Sequence, residues 1–213
     1  MRFIFKVYSM LRAWMDHIKL SIAKKGAMRS LTLIGEFHNF SKTSRVILAS
    51  GSDKKDIEMH AHAELFGILV SYDHGRIILN EWVKIGMGTR ICAVNYISIG
   101  KNTAIATGVT VIDNNTHPIN PEDRLYMRHT PHGSEERRPQ YSANAPIVIG
   151  ENVWIGTDAR ICKGVTIGDN AIIAACSVVT KDVPANAIAA GNPAKIVKTD
   201  IDKLTEPIFP LNR

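Results

Sequence analysis

The sequence predicts an all-β protein built as a parallel β-helix of triangular coils. An unbroken period of six places aliphatic residues at Ile149, Ile155, Ile161, Ile167, Ile173 and Val179. Amphipathic helices repeat every three or four residues and strands every two, whereas a coil with three six-residue faces turns one aliphatic side chain inward on each face. The fifth positions of these hexads are small or β-branched, which suits a narrow core: Val153, Ala159, Val165, Ala171, Ser177 and Val183.

The same period reappears upstream and predicts further coils. Its inward positions are Leu79, Ile85 and Ile91 and then, after a shift of two residues, Ile99, Ile105 and Val111. From about 31 to 78 the phase is irregular and predicts one or two coils. We therefore assign residues 31–198 to the β-helix domain.

One interruption of the repeat predicts a functional loop. Ile99, Ile149 and Ile167 each begin an Ile-Gly-x-Asn corner of the coil. Ile149 and Ile167 are three hexads apart, which is one full coil, whereas Ile99 and Ile149 are more than eight hexads apart. The excess over one coil predicts a loop insertion at 117–148, between two coils. Long loops in compact proteins are usually functional or disordered. This one begins at His117.

The two ends of the chain depart from the repeat. Residues 1–30 hold seven basic residues and one acidic residue, which accounts for the whole net charge of +6. Apolar residues between these charges predict a basic amphipathic cap segment that covers the open end of the solenoid; the alternative is peripheral contact with an anionic membrane. The basic residues do not spread over a face with interleaved aromatics, so no nucleic acid partner is expected. Residues 199–213 form a C-terminal tail.

Composition predicts one soluble, cytoplasmic domain. The 213 residues are 45% apolar, without an uncharged stretch long enough to cross a membrane or the pattern of a signal peptide. Cys92, Cys162 and Cys176 form no CxxC pair, which favours small core or corner residues in a reduced compartment.

The run from Asn152 to Lys198, NVWIGTDARICKGVTIGDNAIIAACSVVTKDVPANAIAAGNPAKIVK, resembles the C-terminal half of the hexapeptide-repeat acyltransferases. The similarity is greatest to the galactoside, maltose, nodulation-factor and polysaccharide O-acetyltransferases, and it extends back to about Leu79. The resemblance implies a left-handed β-helix, a homotrimer with active sites between subunits, and acetyl-coenzyme A as co-substrate.

The resemblance also implies that His117 is the catalytic base, because Asn114-Asn115-Thr116-His117-Pro118 matches the family's Asn-x-x-His-Pro motif. A neutral imidazole can take the proton of an attacking hydroxyl and then protonate the departing thiolate. This chemistry needs neither a metal nor a covalent enzyme intermediate. Asp113 or Asn115 either orients the imidazole or forms the turn.

The matching positions for the coenzyme are Trp154, Thr157, Ala174, Ala175, Thr180, Lys181, Lys195 and Lys198. Small residues at Ala174 and Ala175 would let a pantetheine arm lie along the solenoid. The lysines would neutralise its phosphates as mobile point charges.

For the acceptor we predict contacts from Asn115, Tyr126 and Arg128, at the entry and within the loop. The predicted function is O-acetylation of a sugar or surface-polysaccharide hydroxyl. Alternatives are N-acetylation of an amino sugar, a γ-type carbonic anhydrase with histidine ligands such as His60, His62 and His117, and an inactive scaffold trimer.

Overall fold

The computed structural model describes residues 2–204, and side chains from residue 8 onward apart from residue 9. Residue 1 of the predicted cap and residues 205–213 of the predicted tail lie outside the described residues.

A long helix, α1 (Arg2–Ser30), precedes the strands. The first strands are β1 (Thr32–Leu33), β2 (Asn39–Phe40), β3 (Arg45–Ala49), β4 (Ile57–Met59), β5 (Glu64–Leu65), β6 (Ile68–Tyr72), β7 (Arg76–Leu79), β8 (Lys84–Ile85), β9 (Arg90–Ala93), β10 (Tyr96–Ile99), β11 (Ala104–Ile105) and β12 (Thr110–Ile112). A helix α2 (Pro121–His129) separates them from β13 (Ile147–Ile149), β14 (Trp154–Ile155), β15 (Arg160–Ile161), β16 (Thr166–Ile167), β17 (Ile172–Ile173), β18 (Val178–Val179), β19 (Ile188–Gly191) and β20 (Ala194–Lys198).

Successive strands belong in turn to three sheets. The first sheet has the order β1-β4-β7-β10-β13-β16, the second β2-β5-β8-β11-β14-β17-β19-β20, and the third β18-β15-β12-β9-β6-β3. Pairing is parallel except between β19 and β20, which form a closing hairpin. A chain that visits three sheets in rotation winds as a triangular coil, and the predicted left-handed parallel β-helix is confirmed.

The core follows the predicted period of six. Ile155, Ile161 and Ile173 are fully buried, and so are the small residues between them. Equivalent residues stack in register from coil to coil, with Leu79 beside Ile99 and Ile99 beside Ile149. The burial of roughly one large aliphatic side chain per face supplies the hydrophobic stabilisation of each coil.

Coil length varies along the axis. Ile149 pairs with Ile167, so that this coil consists of three hexads, whereas the coils in which Met59 pairs with Leu79 and Leu79 with Ile99 are each longer by two positions. Residues 31–78, where the sequence predicted one or two irregular coils, begin with a still longer one, since Leu33 pairs with Met59.

One corner of the coil is built by residues in the left-handed conformation. Asn152, Asn170 and Asn186 all have positive φ, and the side-chain amides of the first two each donate to the next Oδ1 at 2.9 Å. Asparagine tolerates this conformation. Upstream the same corner carries His62 stacked between Phe37 and Trp82, with ring centroids 5.1 and 4.0 Å apart.

The insertion leaves the solenoid between β12 and β13. The amide of Asn115 donates to the Ala143 carbonyl at 3.0 Å, and that of Ala145 to the Asp113 carbonyl at 2.9 Å. These bonds close the neck of the loop. It therefore spans residues 113–146, displaced from the predicted 117–148, because the neck pairing starts at Asp113 and β13 already resumes at Ile147.

The C-terminal part of helix α1 packs on the solenoid. Ala23 and Ala27 are buried against the first coil, where α1 contacts β2 and β3. Asp16 forms an ion pair with Lys42 at 2.9 Å. Within residues 2–204, no helix has an apolar stretch long enough to cross a lipid bilayer.

Candidate active site

His117 borders a cleft between the inserted loop and the outer face of the third sheet. Thr116, immediately before it, has a φ of 63°. A β-branched residue in this conformation is strained, and such strain clusters at functional sites. The cleft encloses about 210 Å³, and its lining residues are Tyr72, Arg90, Cys92, Ile112, Asn114, Thr116, His117, Arg137 and Pro139.

The imidazole of His117 has a defined neighbour. Its Nδ1 lies 3.3 Å from Sδ of Met127, a buried residue of α2. A thioether sulfur can accept a hydrogen bond but cannot donate one. In the tautomer that carries the proton on Nδ1, this contact is a hydrogen bond, and the lone pair on Nε2 is available to a general base.

Asp113 forms no hydrogen bond with His117, so the alternative in which it orients the imidazole is wrong. Its carboxylate is fully buried and accepts from the amides of Val94 at 3.0 Å and Asn95 at 2.8 Å, and from Nδ2 of Asn114 at 3.0 Å. Burial raises the pKa of Asp113, and these hydrogen bonds oppose the rise. Asp113 instead holds the turn that follows β9.

Cys92 forms part of the floor of the cleft, which corrects its assignment to the core or a corner. Ile91 points inward with no exposed surface, so the side chains of Arg90 and Cys92 point outward. The loop then covers Cys92, and burial raises the pKa of its thiol while the neighbouring Arg90 lowers it. Of the other two cysteines, Cys176 does occupy a corner, with a φ of 58°.

The predicted acceptor residues are not brought together. Asn115 lies two positions from His117, and its amide holds the neck of the loop. Tyr126 and Arg128 flank Met127 on α2 but are exposed and do not line the cleft. Because Met127 faces His117, its neighbours on the helix face other directions. Contact of Tyr126 and Arg128 with the acceptor stays a prediction.

Four of the predicted coenzyme residues lie on the second sheet and the corner after it. Trp154 is 57% exposed on the outer face, in register between Ala104 and Ile172. Thr157 and Ala175 occupy the next corner in successive coils, where the amide of Cys176 donates to the Thr157 carbonyl at 2.8 Å. Ala174, beside Ala175, is half-buried.

Three more predicted coenzyme residues meet at the C-terminal end of the solenoid. Thr180, Lys181 and Lys195 line a second cleft of about 330 Å³ between the last coil and the β19–β20 hairpin. Lys198 ends β20, is exposed, and does not line this cleft.

His60 and His62, which the sequence offered as metal ligands, make separate contacts with other side chains. His62 is held between two aromatic rings, and Nε2 of His60 lies 3.8 Å from Glu58. Within residues 2–204, no three histidine, cysteine or acidic side chains are grouped so that they could hold a metal ion.

Residues 146–181 match the family model described as Bacterial transferase hexapeptide (six repeats). This segment therefore carries hexapeptide repeats of the kind found in these transferases. Among curated proteins, galactoside O-acetyltransferase of Escherichia coli (strain K12) is 39% identical over 113 residues, which are 50% of this chain and 56% of that protein. This hexapeptide-repeat chain therefore spans little more than half the length of that relative.

Solved structures share the fold of this chain. AntD, an N-acyltransferase from Bacillus cereus, superposes with a TM-score of 0.61 at 18% identity, covering 84% of this chain and 86% of that one. The polySia specific acetyltransferase NeuO superposes with a TM-score of 0.56 at 22% identity, covering 85% and 92%. At these identities the likeness shows the hexapeptide-repeat fold alone.

Proposed function

We propose that the protein is an acetyl-coenzyme A-dependent O-acetyltransferase that acetylates a hydroxyl of a sugar or surface-polysaccharide unit. The observation that carries the proposal is the cleft that His117 lines, beside the contact of its Nδ1 with Met127; the tautomer that donates to Met127 has Nε2 free to accept a proton. The similarity to galactoside O-acetyltransferase supports both the reaction and the sugar acceptor.

In the proposed reaction, Nε2 of His117 removes the proton as the acceptor oxygen attacks the thioester carbonyl. The tetrahedral intermediate then collapses, the carbon–sulfur bond breaks, and the imidazolium returns the proton to the thiolate. The products are an acetyl ester and free coenzyme A, and His117 regains its neutral form. No residue is acylated, so one histidine serves as both base and acid.

The proposed coenzyme site runs from the cleft at Lys181 and Lys195 toward His117. Two exposed ammonium groups at the mouth of the C-terminal cleft would pair with the nucleotide phosphates. The small side chains of Thr157 and Ala175 leave the corner groove open for the pantetheine arm. Gly156 shows how closely the coils approach there, because a Cβ at this position would lie 2.6 Å from the Ala175 nitrogen.

The decisive experiment replaces His117 with alanine and measures acetyl transfer from acetyl-coenzyme A to a panel of sugars and amino sugars. Turnover should fall by about 10² to 10⁴, the usual contribution of a general base. His132→Ala, an exposed histidine of the same loop, is the matched control and should keep full turnover. Near-normal turnover in His117→Ala would exclude this mechanism.

Measurements of coenzyme binding test the proposed phosphate site independently of the proposed catalytic base. Coenzyme A should raise the melting temperature of wild type and His117→Ala equally, and less in Lys181→Ala/Lys195→Ala. An unchanged shift in the lysine variant would exclude the proposed phosphate site. Amide rather than ester products would identify N-acetylation.

We also propose a cytoplasmic homotrimer. Ala104, Trp154, Ile172 and Ile188 form an outward apolar row on the second sheet, and a large exposed aromatic within such a row is typical of a surface that a partner or ligand covers. Light scattering that gives the mass of one chain at assay concentration would contradict the trimer.

Peripheral membrane contact through α1 is the last part of the proposal. Leu11, Trp14 and Met15 are exposed on a different side of α1 from Ala23 and Ala27, which pack on the first coil. The one acidic residue of the helix, Asp16, is already paired with Lys42. An apolar stripe on a basic helix suits the surface of an anionic bilayer.

A further inference from the structure

Arg90 stands beside the catalytic cleft, with an outward side chain two residues before Cys92. Adjacent outward residues on a strand are about 7 Å apart, so the guanidinium on β9 reaches the same cleft that His117 borders. The third sheet carries two more arginines in this outward row. Arg45 lies two strands before Arg90, and Arg160 two strands after it.

Arg90 has no carboxylate partner among the side chains that the structure describes. Within residues 2–204, neither Arg90 nor Arg160 forms an ion pair or donates a hydrogen bond to a carboxylate. The carboxylate of Asp113, which follows β12, is buried, and both of its oxygens accept hydrogen bonds from Val94, Asn95 and Asn114.

The lining of the cleft carries a second cation and no carboxylate. Arg137 extends from the loop, held by bonds from Nε to the Thr130 carbonyl at 3.0 Å and from one terminal nitrogen to the Arg128 carbonyl at 2.7 Å. Its remaining terminal nitrogen is not used in these bonds. Two guanidinium groups around a partly enclosed space of about 210 Å³ make that space strongly attractive to an anion, because screening by water is reduced there.

We propose that the acceptor is an anionic sugar unit, bearing a carboxylate or a phosphate, and that Arg90 binds this group while His117 activates the hydroxyl. This inference rests on the proposed acetyltransferase function and names its substrate class. A planar guanidinium binds carboxylate or phosphate oxygens through two parallel hydrogen bonds, which fixes the orientation as well as the position of the sugar. The ring of Tyr72 offers an apolar wall for the sugar in the same cleft.

The coenzyme's own phosphates are a second possible source of the anion, and the fold separates them from Arg90. Within the third sheet, β12 and β15 lie between β9 and β18, and Thr180 and Lys181 directly follow β18. Three steps of about 4.8 Å place the lysine cleft roughly 14 Å from Arg90 along the axis. The nucleotide end and the acceptor end are thus recognised by different cations.

The test compares matched acceptors with the purified full-length protein. Galactose and galacturonate form one pair, and N-acetylglucosamine and its 6-phosphate another. Wild type should prefer the anionic member by at least about tenfold in kcat/KM, the size expected for a charge-assisted hydrogen bond. Arg90→Gln should lose this preference and Arg90→Lys should keep part of it. Arg45→Gln is the matched control, since Arg45 lies in the same row on the first coil and its guanidinium binds the carbonyls of Lys42 and Ser44.

Two binding measurements make the outcomes distinct. Calorimetry with coenzyme A should give the same affinity for wild type and Arg90→Gln, and a selective loss in Arg90→Gln would show that the anion is the coenzyme's phosphate and overturn the inference. Equal turnover of anionic and neutral acceptors would also overturn it while leaving acetyl transfer standing. If galacturonate binds in an Arg90-dependent way but nothing is acetylated, the anion site stands and the acetyltransferase function fails.

Discussion

Replacing Ile161 with alanine tests the period of six directly. Ile161 has no exposed surface and lies in register between Val111 of the preceding coil and Val179 of the following one. The substitution removes three carbon atoms, worth about 0.8 kcal/mol each in transfer free energy, or roughly 2.4 kcal/mol together. The remaining cavity adds to this cost when the surroundings cannot collapse.

The ladder around Ile161 prevents such a collapse. The amide of Arg160 donates to the Ser177 carbonyl at 2.7 Å, and the amide of Cys162 to the Val179 carbonyl at 3.0 Å. The amide of Thr110 in the preceding coil donates to the Ala159 carbonyl at 2.9 Å. Both neighbouring coils are therefore held at fixed spacing, and closing the cavity would break main-chain hydrogen bonds. We expect a loss near the upper part of the usual range, about 4 kcal/mol.

The measurement is urea denaturation followed by circular dichroism, at one protein concentration for all variants. Ile47→Ala provides the control, because Ile47 lies on β3 of the same sheet but is 45% exposed on the outer face. That variant should lose about 1 kcal/mol or less. A similar loss in both variants, or a loss below about 1 kcal/mol in Ile161→Ala, would refute the inward assignment.

Two further predictions concern the N-terminal helix and the buried carboxylate. The protein should sediment with phosphatidylglycerol vesicles but not with phosphatidylcholine vesicles. The double variant Leu11→Asn/Trp14→Asn should weaken this binding at least about tenfold, because less apolar surface is buried in the bilayer. Equal binding to both lipids would contradict membrane contact through α1. Burial raises the pKa of Asp113, so its contribution to stability is fully present below the ordinary carboxyl pKa of about 3.9 and is lost as pH rises through the higher folded-state value. The free energy of unfolding of wild type relative to Asp113→Asn should therefore decrease as pH rises above about 4, and a constant difference would contradict the predicted shift.

The local sequence pattern was sufficient to predict the residues of the core but not those of the cleft. The alternation around Ile91 already places Arg90 and Cys92 on the outer face, because neighbouring strand residues point to opposite sides. Nothing in the spacing indicates that the loop returns to that same face and buries Cys92. The same folding-back brings Met127 against His117, whereas Tyr126 and Arg128, the loop residues predicted to bind the acceptor, do not line the cleft.

By itself, the sequence determined the solenoid, its inward residues and the place where the repeat is interrupted. These properties are periodic, and each depends on a spacing that any single coil must satisfy to bury its aliphatic side chains. The tertiary structure alone decided what surrounds His117, since Met127, Tyr72 and Arg90 come from three separate parts of the chain. Their meeting depends on the direction in which the loop packs, and that direction is set by contacts between distant residues rather than by any repeat.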